Sequence, residues 1–140
     1  MSTSPADFNA KVIDEFRANG GHVGGSFESM PILLLHHTGA KSSVQRINPL
    51  AYHEDGGRYV IFASKGGAPT NPAWYHNLKA HPDTTIEVGT QTLSVRASEA
   101  TDGERDRLFD AQAERMPQFG EYAEKTPRTI PVILLTPSAN

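Results

Sequence analysis

The sequence predicts an α+β fold built on one mainly antiparallel, barrel-like sheet of about six strands and about three helices. Three observations lead there. The strand-like runs come in hairpins, with helical segments placed between them and not after every strand, which argues against a doubly wound parallel sheet. Asp55-Gly56-Gly57 and Gly89 stand where tight connections between strands are needed. Finally, 140 residues with 37% hydrophobic content are enough for one core and too few for two domains of ordinary size, so a single domain over 1–140 is expected.

The elements follow in order. Ser4 before Pro5 reads as an N-cap with proline at the first helical position, and Phe8, Val12 and Phe16 recur at helical spacing. That helix stops at Asn19-Gly20-Gly21, and the glycines at 20, 21, 24 and 25 suggest either a close backbone approach or a mobile cover over residues 20–26. Residues 32–38, 46–53 and 58–64 alternate as strands and predict an antiparallel meander. Asn71-Pro72 opens a helix with Trp74, Tyr75 and Leu78 on its apolar side, ended by His81-Pro82. A second hairpin, 84–88 and 92–97, flanks Gly89. Thr101-x-x-Glu104 reads as a capping box for a helix reaching about Arg115. The β-branched and aliphatic run over 128–135 predicts a final, central strand.

Composition excludes several classes of function. With 13 Lys+Arg against 16 Asp+Glu, the net charge of −3 gives no global field for nucleic acid or an anionic membrane, so any anion site is local. The absence of cysteine removes disulfides, thiolate metal ligands and a nucleophilic thiol together, and redox chemistry would need a borrowed cofactor. No basic stretch followed by an apolar run resembles a secretory signal, and the longest apolar run, Ile32 to Leu35, falls far short of the roughly 20 residues of a membrane span. A cytoplasmic protein with small-molecule partners is expected. The six histidines show no HExxH or HxxxH spacing, so no metal site is predicted.

Three polar segments carry the chemistry. Residues 38–49 place Lys41, Ser42 and Arg46 in and beside a loop between strands, where a mobile ammonium and a planar guanidinium could converge on a phosphate or carboxylate. Composition alone favours a solvated hairpin loop there. In the second segment, Ala63-Ser64-Lys65-Gly66-Gly67, a strand runs into two glycines and a third cation close to a helix N-terminus. It matches neither a P-loop nor a dinucleotide fingerprint. The third is Trp74 and Asn77, three residues apart on one helix face: a flat apolar wall beside a donor-acceptor amide, or simply a core indole.

Six blocks occur in order: Gly-Gly-x-Val-Gly-Gly-x-Phe at 20–27, Thr-Gly-x-Lys-Ser at 38–42, Arg-x-Asn-Pro-Leu at 46–50, Ala-Ser-Lys-Gly-Gly-Ala at 63–68, Asn-Pro-x-Trp-Tyr-x-Asn-Leu at 71–78 and Arg-Thr-Ile-Pro-Val at 128–132. Together they resemble the deazaflavin-dependent nitroreductase family of actinobacteria. The resemblance implies a split β-barrel like that of the flavin-mononucleotide and pyridoxamine-phosphate oxidases. It also implies hydride transfer from reduced 8-hydroxy-5-deazaflavin, coenzyme F-420, to a quinone, an activated enone or a nitroaromatic acceptor.

By the same resemblance, Lys41, Ser42 and Arg46 hold the cofactor phosphate and polyglutamate tail. Asn48, Pro49 and Leu50 line its middle, and Ala63, Ser64, Lys65, Gly66 and Gly67 meet its head. Trp74 and Asn77 wall the ring, Lys65 and Tyr122 act in catalysis, and Trp74, Phe119, Tyr122 and Lys125 form the substrate side. Two departures bear on the substrate: a cluster of tyrosines expected near the end reads Phe119, Tyr122 and Lys125, and the usually basic position 40 is Ala40. A phenylalanine offers no hydrogen bond to a nitro group, which favours quinones and enones. A flavin-mononucleotide enzyme of the same fold and a non-catalytic deazaflavin carrier are the alternatives, and the sequence leaves monomer or homodimer open.

Overall fold

A computed structural model of the chain describes residues 5–21, 23, 31–64, 71–126 and 129–138, with side chains described from Ala10 onward. Four helices, α1 (Pro5–Ala18), α2 (Ala73–Ala80), α3 (Asp102–Arg115) and α4 (Gln118–Lys125), accompany seven strands. The strands are β1 (Ile32–Thr38), β2 (Gln45–Ala51), β3 (His53–Asp55), β4 (Arg58–Phe62), β5 (Asp83–Val88), β6 (Gln91–Glu99) and β7 (Val132–Pro137). Every neighbouring pair in the order β2-β1-β5-β6-β7-β4-β3 is antiparallel.

The order corrects the expected meander. The run 46–53 breaks at Tyr52 into β2 and β3, which lie on opposite edges of one sheet. Laid flat, seven strands would span about 29 Å at their usual spacing of roughly 4.8 Å. Yet Ala51 and His53 are two residues apart, a reach of about 7 Å, so the sheet has to roll until its edges meet. Ala51 accordingly packs against both of the clusters on the outer surface.

Alternation along the strands gives the rolled sheet an inside and an outside. Leu33, Leu35, Ile61, Ala63, Ile86, Val95, Ile133 and Leu135 point inward, where Trp74, Tyr75 and Leu78 of α2 fill the interior. Outside, Ile32 and Leu34 receive Val12 and Phe16 of α1, while Val60, Phe62, Val132 and Leu134 receive Leu108 and Phe109 of α3 and Phe119 of α4. The final strand is central, between β6 and β4 as its aliphatic run predicts. It starts later than expected, because Pro131 has no N–H for the ladder and gives its carbonyl to Ala63 N at 3.0 Å.

The capping box at Thr101 does not form: α3 has no side-chain cap, Asp102 takes a left-handed φ of 52°, and Glu104 pairs with Arg58 at 3.3 Å. At the other end of the chain, α1 is clamped by Arg17, which donates to both Glu87 oxygens at 3.1 and 2.7 Å, with His36 on the same carboxylate at 2.7 Å. Its last turn meets the β5–β6 turn so closely that a Cβ on Gly21 would lie 2.6 Å from Gly89 Cα. The Ser4 cap, the Phe8 side chain, residues 24–26 of the expected cover and the start of the last run at Arg128 lie outside the described residues. Among the described residues, no helix is long and apolar enough to cross a membrane.

Candidate cofactor site

The end of β1, the start of β2, the end of β4 and the segment leading into α2 all fall at one rim of the sheet, because β1 and β4 run antiparallel to their neighbours in the same sense. There, residues 39–44 form a tight turn closed by Gly39 N to Val44 O at 2.9 Å and Ser43 N to Gly39 O at 3.0 Å. Ser43 takes a left-handed φ of 60°, and a Cβ on Gly39 would stand 2.2 Å from Ser42 Oγ, so a larger residue at 39 would turn the Ser42 hydroxyl away from Val44 N–H, to which it is bonded at 3.2 Å.

Between this turn and α2 opens a groove of about 560 Å³, lined by Gly39, Lys41, Ser42, Arg46, His76 and Asn77 among others. Its lining holds two cations and no carboxylate. Among the described residues neither Lys41 nor Arg46 has an ion-pair partner, whereas Arg17, Arg58, Arg96, Arg105 and Arg107 are all paired. Unpaired positive charge around a pocket of this size fits a polyanionic ligand. Lys41, Ser42, Arg46 and Asn77 thus line one groove.

Beneath the groove runs a buried polar chain whose donors and acceptors are all fixed by its first link. Ala40 N–H donates to Asn77 Oδ1 at 2.9 Å, so the other amide atom, Nδ2, is a donor and faces His37 Nδ1 at 2.9 Å. Nδ1 must accept, which puts the imidazole proton on Nε2, donated to Asn48 Oδ1 at 2.6 Å. His37 is 3% exposed, and burial pushes its pKa below the ordinary imidazole value, with Arg46 and His36 acting in the same direction and the Asn48 bond opposing them. The ring is the neutral tautomer.

Several expected site residues sit differently. Asn77 lines the groove, but its amide is committed to Ala40 and His37 and is not free to read a ring edge. Trp74 belongs to the inner core at 5% exposure and is not among the groove's lining residues. Register separates the β2 triplet: Asn48 and Leu50 pair with inward Leu35 and Leu33, while Pro49 pairs with outward Leu34. Their side chains therefore do not share one surface.

Ala63 is a fully buried inner-core residue, and Ser64 is buried and partnered at the strand end. Phe119 is core on the outer face, its ring 5.6 Å from Phe62, with half-buried Tyr122 edge-on to it at 5.3 Å. Lys125 is exposed at the end of α4. Lys65, Gly66 and Gly67 lie outside the described residues.

His37 and His76 carry no expectation from sequence. The signal for His37 was available: the pair His36-His37 sits in a strand, so alternation sends one ring inward and makes it a buried polar group in need of partners. On the opposite flank of α2, Tyr75 donates its hydroxyl to Glu99 at 2.8 Å while Lys79 donates to the same hydroxyl at 3.2 Å.

Residues 10–137 match the family described as F420H(2)-dependent quinone reductase. An F420H(2)-dependent quinone reductase of Mycobacterium tuberculosis is 42% identical over 125 residues, covering 86% of this chain and 84% of that protein. Among solved structures, an F420-H2 dependent reductase (FDR-A) superposes with a TM-score of 0.69 at 40% identity, covering 75% of this chain and 93% of the other. A domain-swapped dimer superposes with a TM-score of 0.71 at 37% identity, covering 94% and 99% respectively.

Proposed function

This chain belongs to the F420H(2)-dependent quinone reductase family, and from that premise we propose that its groove at residues 39–46 receives the anionic end of coenzyme F-420. The protein is an oxidoreductase that transfers a hydride from the reduced cofactor to a quinone. Its fold is the α+β split barrel.

The observation that carries the assignment is the pair of cations, Lys41 and Arg46, which among the described residues have no ion-pair partner and line a groove with no carboxylate. A phosphate and a tail of carboxylates need such donors: Arg46 offers a planar fork and Lys41 a mobile point charge. Two backbone hydrogen bonds fix the path of the turn from Gly39 to Val44 that carries Lys41.

When bound, the reduced deazaflavin supplies a hydride from carbon 5 of its ring. The chain's own contribution would be to anchor the charged end through Lys41 and Arg46, which would limit where the ring can lie. We assign proton delivery to the acceptor to solvent or to the Tyr122 hydroxyl, and electrostatic support of the ring to Lys65.

Replacing Lys41 or Arg46 with alanine is expected to weaken binding of oxidised coenzyme F-420 by about tenfold each, measured as Kd, with kcat at saturating cofactor little changed. Undiminished affinity in both variants would remove the groove from the site. Tyr122→Phe is expected to lower kcat with a soluble quinone and leave the cofactor Kd alone, and an unchanged kcat would take Tyr122 out of the mechanism.

A further inference from the structure

The groove is held by a chain of hydrogen bonds that crosses four pieces of the fold: the 39–44 turn, α2, β1 and β2. Every link has a defined direction, and the direction is set by a backbone N–H that cannot reverse. That makes the one titratable member, His37, unlike the other histidines among the described residues. We propose that His37 is a positioning residue for the cofactor groove: its neutral ring locks Asn77 and Asn48 together and, through Asn77, holds the Lys41 turn against α2, so that protonation of His37 releases the turn and weakens binding of the anionic cofactor. The inference rests on the groove being the site of the cofactor's charged end.

The conflict created by a proton can be followed atom by atom. Protonated imidazole carries N–H on both nitrogens, so Nδ1–H would face the Nδ2 donor of Asn77 across 2.9 Å. Turning the Asn77 amide over would satisfy Nδ1–H but set Nδ2 against Ala40 N–H, two donors again. No arrangement of the amide serves both neighbours. The Asn48 bond survives in either state, because Nε2–H donates in both. What is lost is the link between α2 and the turn.

The surrounding charges favour the neutral form. Arg46 lies directly across from His37 in the β1–β2 register, and His36 is its chain neighbour. The turn brings Lys41 and α2 brings His76 to the same groove, and of the two carboxylates on the adjoining β5, Glu87 is engaged by Arg17 and His36 and Asp83 by Arg96. Burial lowers the pKa of His37 further, consistent with a ring that is neutral near neutrality and takes a proton only in acid. His76 also lines the groove and is unchanged in the His37 variants.

The test is the Kd of oxidised coenzyme F-420 for wild type, His37→Gln, His37→Phe and Lys41→Ala, from about pH 5 to pH 8, a range that spans the ordinary imidazole pKa. Glutamine keeps one donor and one acceptor without titrating, so the ratio of wild-type to His37→Gln Kd cancels the ionisation of the ligand and of His76. That ratio should rise about tenfold toward acid, while His37→Phe binds weakly throughout and its loss appears in the KM for cofactor and not in kcat.

A ratio that stays flat while Lys41→Ala loses affinity would overturn the role of His37 and leave the groove standing. Wild-type affinity in Lys41→Ala would mean the charged end is held elsewhere, and both readings would fall. The wild-type to glutamine ratio decides the matter even if His37→Phe does not fold.

Discussion

Asp55 accepts from Arg58 at 2.8 Å and from Arg107 at 3.3 Å through each oxygen, and these hydrogen bonds, Arg107 first, hold its carboxyl down to about 2. The sign follows directly. Its folded pKa lies below the ordinary value near 4, so the stability it contributes is present above about pH 4 and lost as pH falls through about 2. Asp55→Asn should lower Tm at neutral pH by a few degrees and flatten the fall in Tm between those two values, read by thermal unfolding across pH. At this scale the sequence is most legible where charge stands free: Lys41 and Arg46 are recognisable because a loop holding two cations and no acid has nothing local to neutralise it. Asn77 is legible in place but not in role, since its neighbours Ala40 and His37 come from a turn and a strand about 40 residues away.

Strand and helix boundaries follow from local chemistry and are recovered wherever that chemistry dominates. Residues 32–38 and the helix between Pro72 and His81 are read almost without error, because proline and the apolar pattern leave one choice. The break at Tyr52 is invisible locally. Alternation continues straight through it, and only the Tyr52 N to Pro31 O hydrogen bond at 3.2 Å and the rolling of the sheet impose a change of edge. α4 is missed for a related reason: Pro117 and Gly120 argue against a helix, and the packing of Phe119 on Phe62 prevails over them. α1 is an appended element, held by Phe16, Val12, the Arg17–Glu87 clamp and the close approach of Gly21 to Gly89. Phe16→Ala should cost about 3–5 kcal/mol by urea unfolding, as for a fully buried aromatic. If α1 frays independently of the barrel, hydrogen exchange will instead show the loss confined to residues 10–18.

Taken whole, the chain is acidic, with a net charge of −3, and still offers an anion a local positive groove at one rim. Attraction therefore acts only at short range, against a weakly repulsive background, and raising the salt from about 0.05 to 0.5 M should raise the cofactor Kd severalfold as screening shortens from roughly 14 to 4 Å. A Kd indifferent to salt would mean that ring contacts, not the cations, carry the affinity. The rolled sheet also puts α2 in a singular position: its Asn77 face closes the groove, and its apolar face fills the interior with the chain's one tryptophan. All the indole light the protein emits thus comes from a single helix seated between groove and core. An unlabelled sample carries its own optical gauge, in which a shift to longer wavelength reports water entering the barrel and quenching without a shift reports a chromophore arriving at the rim.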